Sequence, residues 1–216
     1  MTTSPDPQLV LVRHGETAWS LSGQHTGTSD IPLTPHGEEQ ARASGVLLAS
    51  RVAAGQHFRT VLTSPRSRAR RTAELAGFGG AVVDGDLAEW DYGPVEGRTS
   101  AQISAETGTD WEIFRDGVHV VGPEHAAVPH PTAGETLDDV AARTARVVER
   151  VLPTLEAGAS ALVFAHGHVL RILATTWLGL PPTTGALLEL GTASVSQLGF
   201  GHGIRTLEGW NQPSGA

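Results

Sequence analysis

The stretch Leu9–Thr17 reads LVLVRHGET, four consecutive apolar residues running directly into Arg13, His14 and Gly15. A short, continuous apolar run of this kind belongs to a strand covered on both faces, the pattern of a parallel sheet. A second run, Ala161–Ala165, also ends on a titratable tip, His166, Gly167 and His168. A third, Thr60–Thr63, leads into Ser64, Pro65 and an arginine-rich segment. A strand locked inside a sheet is a rigid arm, so a reactive group at its end is held more closely than one on a loop.

Helical patterns separate these runs. Thr34 caps and Pro35 opens a helix predicted to reach Ala53, and Ser64 and Pro65 do the same for a helix to Ala76. Thr136 begins an amphipathic helix over Leu137–Leu155, which Pro153 ends or bends, and another follows His168 to Leu178. Ala81–Val83 reads as a further strand, and Leu187–Glu189, Ser194–Phe200 and Ile204–Leu207 as edge strands or a closing hairpin. Residues 85–135 are rich in Gly and Pro with weak periodicity; they read as a lid insertion holding short helices at Thr99–Glu106 and Asp110–Phe114. Strands alternating with helices predict an α/β fold, a doubly wound three-layer sandwich with a mostly parallel sheet. One domain is expected over residues 1–216, with its core at about 8–208 and a loose tail at 209–216.

Composition removes whole classes of chemistry. The formal net charge is −8, which argues against nucleic acid or an anionic membrane as partner. There is no cysteine, so thiolate nucleophiles and Cys-ligated metals are excluded. All 15 basic residues are arginine, which removes the P-loop lysine and Schiff-base chemistry. Met1–Gln8 is polar without a signal-peptide pattern, and no run approaches a transmembrane span, so a cytoplasmic protein is expected.

Ligands of open α/β sheets sit at the carboxyl ends of the strands, where two histidines and several arginines converge here. Arginine beside histidine suits a phosphoryl group: the guanidinium fork pairs two phosphate oxygens, and a neutral imidazole is a competent nucleophile near pH 7. Gly15 and Gly167 would let backbone approach the anion. In RSRARR, Arg66 and Arg70 read as a solvated face. Arg68 shares a flank with Ala69, Thr72, Ala73 and Ala76 and reads as the inward one. His166 and His168 could form a metal pair, but no H-E-x-x-H or cysteine partner accompanies them, so no metal is expected. His36 reads as a surface residue, and His57, His119, His125, His130 and His202 have no supporting context. AVVDGDLAE at Ala81 looks like the nucleophile strand of the haloacid dehalogenase class, which expects Thr or Val where Ala88 stands and a lysine that the chain lacks.

Taken in order, LVRHGET, SPRSRARRTAEL, EWDYGPVEG, GETLDDVAAR and FAHGHVLRIL resemble the histidine phosphatase superfamily, the phosphoglycerate mutase-like fold, over about Leu9–Leu207. WSLSGQHTG and WEIFRDG are similar to its branch of sedoheptulose-bisphosphatase, glucosyl-phosphoglycerate phosphatase and broad acid phosphatases. The resemblance implies His14 as nucleophile, Arg13 and Arg68 as phosphoryl clamps, and His166 completing the pocket. It implies Glu89 as the acid that protonates the leaving oxygen and the base that then activates water. Ser20, Gln24, His25, Gly167 and His168 would contact the phosphate or the substrate body, with His168 replacing the asparagine of many mutases. No cofactor is implied, the partner is a small phosphate ester, and homodimers are common in the family.

Cofactor-dependent mutases carry a longer insertion with several basic residues. Here the part before Gly134 has only Arg98 and Arg115, which favours a phosphatase. A phosphohistidine or phosphotyrosine phosphatase and a catalytically silent phosphoester-binding module are the other readings. Against the protein phosphatase, Trp90, Trp111 and Phe114 read as a lid over a small molecule.

Overall fold

Leu9, Val10, Leu11 and Val12 are all buried, and because side chains alternate along a strand they enter two different cores. They form β1 (Leu9–Arg13) in this computed structural model, which describes residues 6–129 and 131–215. The first five residues, His130 and Ala216, on which parts of the sequence reading fall, lie outside the described residues.

The other strands are β2 (Phe58–Thr63), β3 (Val82–Val83), β4 (Ser160–Ala165), β5 (Val195–Gly201) and β6 (Ile204–Gln212). They make one sheet in the order β3-β2-β4-β1-β5-β6, in which the first four run parallel and β5 and β6 form an antiparallel hairpin at one edge. Helices cover both faces. Val10 and Val12 pack with Leu48 of α2 (Pro35–Ala53) and Ala73 of α3 (Ser67–Leu75). Leu9 and Leu11 pack with Val147 and Val151 of α6 (Leu137–Glu156) and with Leu170 and Leu173 of α7 (Gly167–Leu178). A fully buried Leu or Val side chain contributes about 1.5–3 kcal/mol, so β1 is anchored from both sides.

Local sequence explains the helix starts. Thr34 accepts from Gly37 N with Pro35 at the first turn, and Thr136 forms a reciprocal capping box with Asp139. Thr99 does the same with Gln102 for α4 (Ser100–Thr107), and Glu112 caps α5 (Ile113–Asp116). Pro153 does not end α6: it stands in the last turn, where its missing N–H removes a single helical hydrogen bond.

Several expectations are corrected. Ser64 is not a cap, since α3 begins at Ser67 behind Arg66 with no side-chain cap bond. A short helix, α1 (Ala18–Ser22), occupies what read as loop, opened by a Thr17–Ser20 capping box and closed at Gly23. Leu187–Glu189 is no strand; Leu187 ends a 3-10 turn over Pro182–Leu187 and the next two residues are irregular. Residues 209–212 are not a loose tail, because β6 continues through Gln212 and pairs there with Val195. Trp90 and Phe114 are core rather than lid surface, buried with Ile103 and Val118.

Candidate active site

The parallel register sets Arg13 beside Ala165, so the residues that follow them, His14 and His166, emerge side by side. His14 N donates to Ala165 O at 2.9 Å, and the two imidazole centroids are 5.1 Å apart. Glycine at position 15 is demanded by packing and not by a ligand: a Cβ there would stand 2.2 Å from Gly37 O of α2, whereas the glycine at 167 faces Arg13 at ordinary contact distance.

Hydrogen bonds fix the tautomers. His14 Nδ1 lies 2.7 Å from Gly15 O, which can only accept, so Nδ1 carries the proton and Nε2 presents a lone pair. Burial, then Arg68 and Arg13, push the His14 imidazole well below its usual pKa, so it is neutral near pH 7. His166 is neutral for the same reasons, burial first and Arg68 next. Its Nδ1 accepts from Arg68 Nε at 3.1 Å, so its Nε2 donates to Ser64 Oγ at 2.6 Å.

Arg68 is inward as expected, and completely buried. Its guanidinium also donates to Ser29 O at 2.9 Å and Thr26 O at 2.7 Å. Arg66 is half-buried and Arg70 exposed. Arg13 donates through Nη1 to Leu190 O, and its buried Nε has no partner among the described residues. A buried, unpaired charged donor is costly unless something accepts from it.

Glu89 reaches the same place from a loop. Its Oε1 accepts from Trp90 N and Val169 N, both at 2.9 Å, and its Oε2 from His168 N at 3.1 Å, so the carboxylate caps the amino end of α7. The loop is clamped by Arg143 of α6, which donates to Asp86 O at 2.8 Å and Ala88 O at 2.6 Å while paired with Glu135.

A cavity of about 680 Å³ opens over this group, with Arg13, His14, Glu89, Gly167 and His168 in its wall. Ser20, Gln24 and His25 also line it. Ser20 serves mainly the α1 cap, Gln24 donates to Gly97 O at 2.7 Å, and His25 Nδ1 bonds Arg98 O at 2.7 Å. Arg68 and His166 are not in the cavity wall; they stand behind His14. Trp111 is the one predicted lid aromatic that lines the cavity.

The sequence reading missed Ser64 as the partner of His166, Tyr92, whose hydroxyl bonds His168 Nδ1 at 2.5 Å, and Arg171 in the cavity wall. Arg171 lay within reach of sequence reasoning, because it is four residues after Gly167 and so one turn along the same helix face. Among the described residues no group of three or more His, Asp or Glu could hold a metal ion. No helix of the described residues is long and apolar enough to cross a membrane.

This arrangement can transfer a phosphoryl group: a neutral nitrogen nucleophile, cations around it and a carboxyl group facing the same space. Comparison with known proteins agrees. The model of the histidine phosphatase superfamily (branch 1) matches residues 9–213. An acid phosphatase of Mycobacterium tuberculosis is 38% identical over 93% of this chain and 90% of its own. A sedoheptulose 1,7-bisphosphatase of Saccharomyces cerevisiae is 36% identical over 81% and 68%. A 2,3-bisphosphoglycerate-dependent phosphoglycerate mutase of Azorhizobium caulinodans is also 36% identical, over 88% and 90%. The solved structure of an open reading frame product of Mycobacterium tuberculosis superposes with a TM-score of 0.84 at 36% identity, covering 97% of this chain and 100% of that one.

Proposed function

The chain belongs to the histidine phosphatase superfamily and is a phosphomonoester hydrolase of small phosphorylated metabolites, and we propose that it works through a phosphohistidine formed on His14. The observation that carries this reading is the bare Nε2 of a neutral imidazole at the cavity floor, with its Nδ1 proton tied to Gly15 O.

In the first step His14 Nε2 forms a bond to phosphorus as the ester P–O bond breaks. The Glu89 carboxyl group gives its proton to the departing oxygen. In the second, the Glu89 carboxylate takes a proton from water, that oxygen bonds to phosphorus, the N–P bond breaks, and orthophosphate leaves. Such transition states are loose, so positioning and charge stabilisation dominate. Arg13 supplies the unpaired Nε donor, while Arg68, behind His14, acts through its charge and through His166, whose ring it orients. The charge of Arg68 also holds His14 neutral.

Residues 85–135 form a lid on this reading, supplying Glu89, Tyr92, Trp111 and Glu112 to the cavity within one domain. The enzyme acts in the cytoplasm on a dissolved ester, with nucleic acid no partner. The test is rapid quenching during turnover of p-nitrophenyl phosphate. An acid-labile, alkali-stable phosphoryl adduct on the peptide bearing His14 supports the reading; hydrolysis that persists in His14→Ala refutes it. Interconversion of phosphoglycerates faster than phosphate release would make the protein a mutase instead.

A further inference from the structure

Beyond the groups around His14, the cavity wall carries further charges. Two further carboxylates, Glu112 and Glu189, line it with one further cation, Arg171; the Glu112 carboxylate also accepts from Phe114 N and Arg115 N at the start of α5. Arg171 is already committed: Nε donates to Gly185 O at 2.8 Å, Nη2 to Ala186 O at 3.0 Å, and the guanidinium lies 4.6 Å over the Phe114 ring. Both carboxylates act on that guanidinium electrostatically, and Glu189 also acts on Arg13. With two carboxylates against one guanidinium, these added groups are net negative.

The neutral groups of the wall are suited to hydroxyls. His25 and His168 lie with parallel rings 6.0 Å apart, each lowered below its usual pKa chiefly by burial and so uncharged near pH 7. The bond from His25 Nδ1 to Arg98 O leaves its Nε2 as an acceptor. Ser20 and Ser100 add hydroxyls, and Trp111, edge-on to His25 at 5.2 Å, adds a flat apolar wall.

On the footing of the phosphatase reading, we propose that the enzyme selects phosphomonoesters whose alcohol part is an uncharged polyol or sugar, and that Glu112 and Glu189 disfavour substrates with a second anionic group. A bisphosphate or a phosphoglycerate would set its second charge against two carboxylates, with a cation already engaged by backbone. A sugar body would exchange its hydration for serine, imidazole and indole contacts. Unpaired charge is rejected more strongly than a missing methylene, because a desolvated anion without a partner loses its hydration uncompensated.

The experiment compares kcat/KM for fructose 6-phosphate, fructose 1,6-bisphosphate and 3-phosphoglycerate, with phosphate release from the bisphosphate stopped at the first event. The monophosphate is expected to lead both by about tenfold or more, and the gap to narrow at high ionic strength as the repulsion is screened. Glu189→Arg is expected to shift the ratio toward the bisphosphate by about tenfold. His14-dependent turnover that favours the bisphosphate or the phosphoglycerate, or a ratio that ignores both salt and Glu189→Arg, overturns the selectivity and leaves the phosphatase standing. Turnover that survives His14→Ala overturns the phosphatase reading first.

Discussion

Two imidazoles kept neutral by burial tie the stability of this fold to pH just below neutrality. His14 and His166 have pKa values well below the ordinary 6.5, burial being the first cause and the Arg68 charge the second. In the unfolded chain both regain the ordinary value, so below pH 6.5 the unfolded state binds protons that the folded state refuses. Stability is then complete above 6.5 and is lost as pH falls toward the folded-state values. Each proton contributes a slope of about 1.4 kcal/mol per pH unit. Between pH 7.5 and 5.5 the pair costs about 3 kcal/mol, a sizeable share of the roughly 5–15 kcal/mol of a typical domain. His25 and His168, also lowered chiefly by burial, add in the same direction. Glu96, raised by burial above its usual 4.5, works the other way and offsets at most one proton. The carboxyl groups held low, such as Asp116 at about 2, act only at more acid pH. The assay is urea unfolding in phosphate-free buffer at both pH values, with the slope against urea unchanged. A loss under about 1 kcal/mol would refute the reasoning. Inorganic phosphate should flatten the dependence, because an anion beside His14 favours its protonated form and stabilises only the folded chain.

Other expected outcomes follow from single contacts. His14→Ala should lower turnover of aryl phosphates by about 10³-fold or more while far-ultraviolet circular dichroism stays unchanged. Arg68→Ala should slow phosphate release by about 10²-fold. It should also cost about 3–5 kcal/mol in urea unfolding, because it strands the carbonyls of Thr26 and Ser29 and the Nδ1 of His166; a folded-state cost under 1 kcal/mol would mean that these bonds are not made. Glu89→Gln should slow alkyl esters, which need a proton on the leaving oxygen, more than aryl esters, and equal slowing would point to another acid. Ser64→Ala should depress kcat more than KM, since it removes the partner that orients the His166 ring; unchanged kinetics would refute that positioning.

The sequence by itself determined the arms of the site. Continuous apolar runs at Leu9–Val12 and Ala161–Ala165 carry the pattern of buried strands, and caps such as Thr34 and Thr136 act within four residues of themselves, so these strand tips and helix starts were legible. The inward turn of Arg68 followed from helical spacing. Tertiary structure decided the rest. Ser64 looks like a helix cap locally, yet the parallel register of β2 and β4 brings it against His166 across 102 residues of chain. Gly209–Gln212 looks like a tail until Val195 offers it a partner strand. The carbonyls that fix Arg68 and the carboxylates that set the charge of the cavity come from loops with no periodicity to read. Periodicity reports which side of an element meets the core, whereas partners joined by long-range hydrogen bonds are chosen by the packing of distant elements.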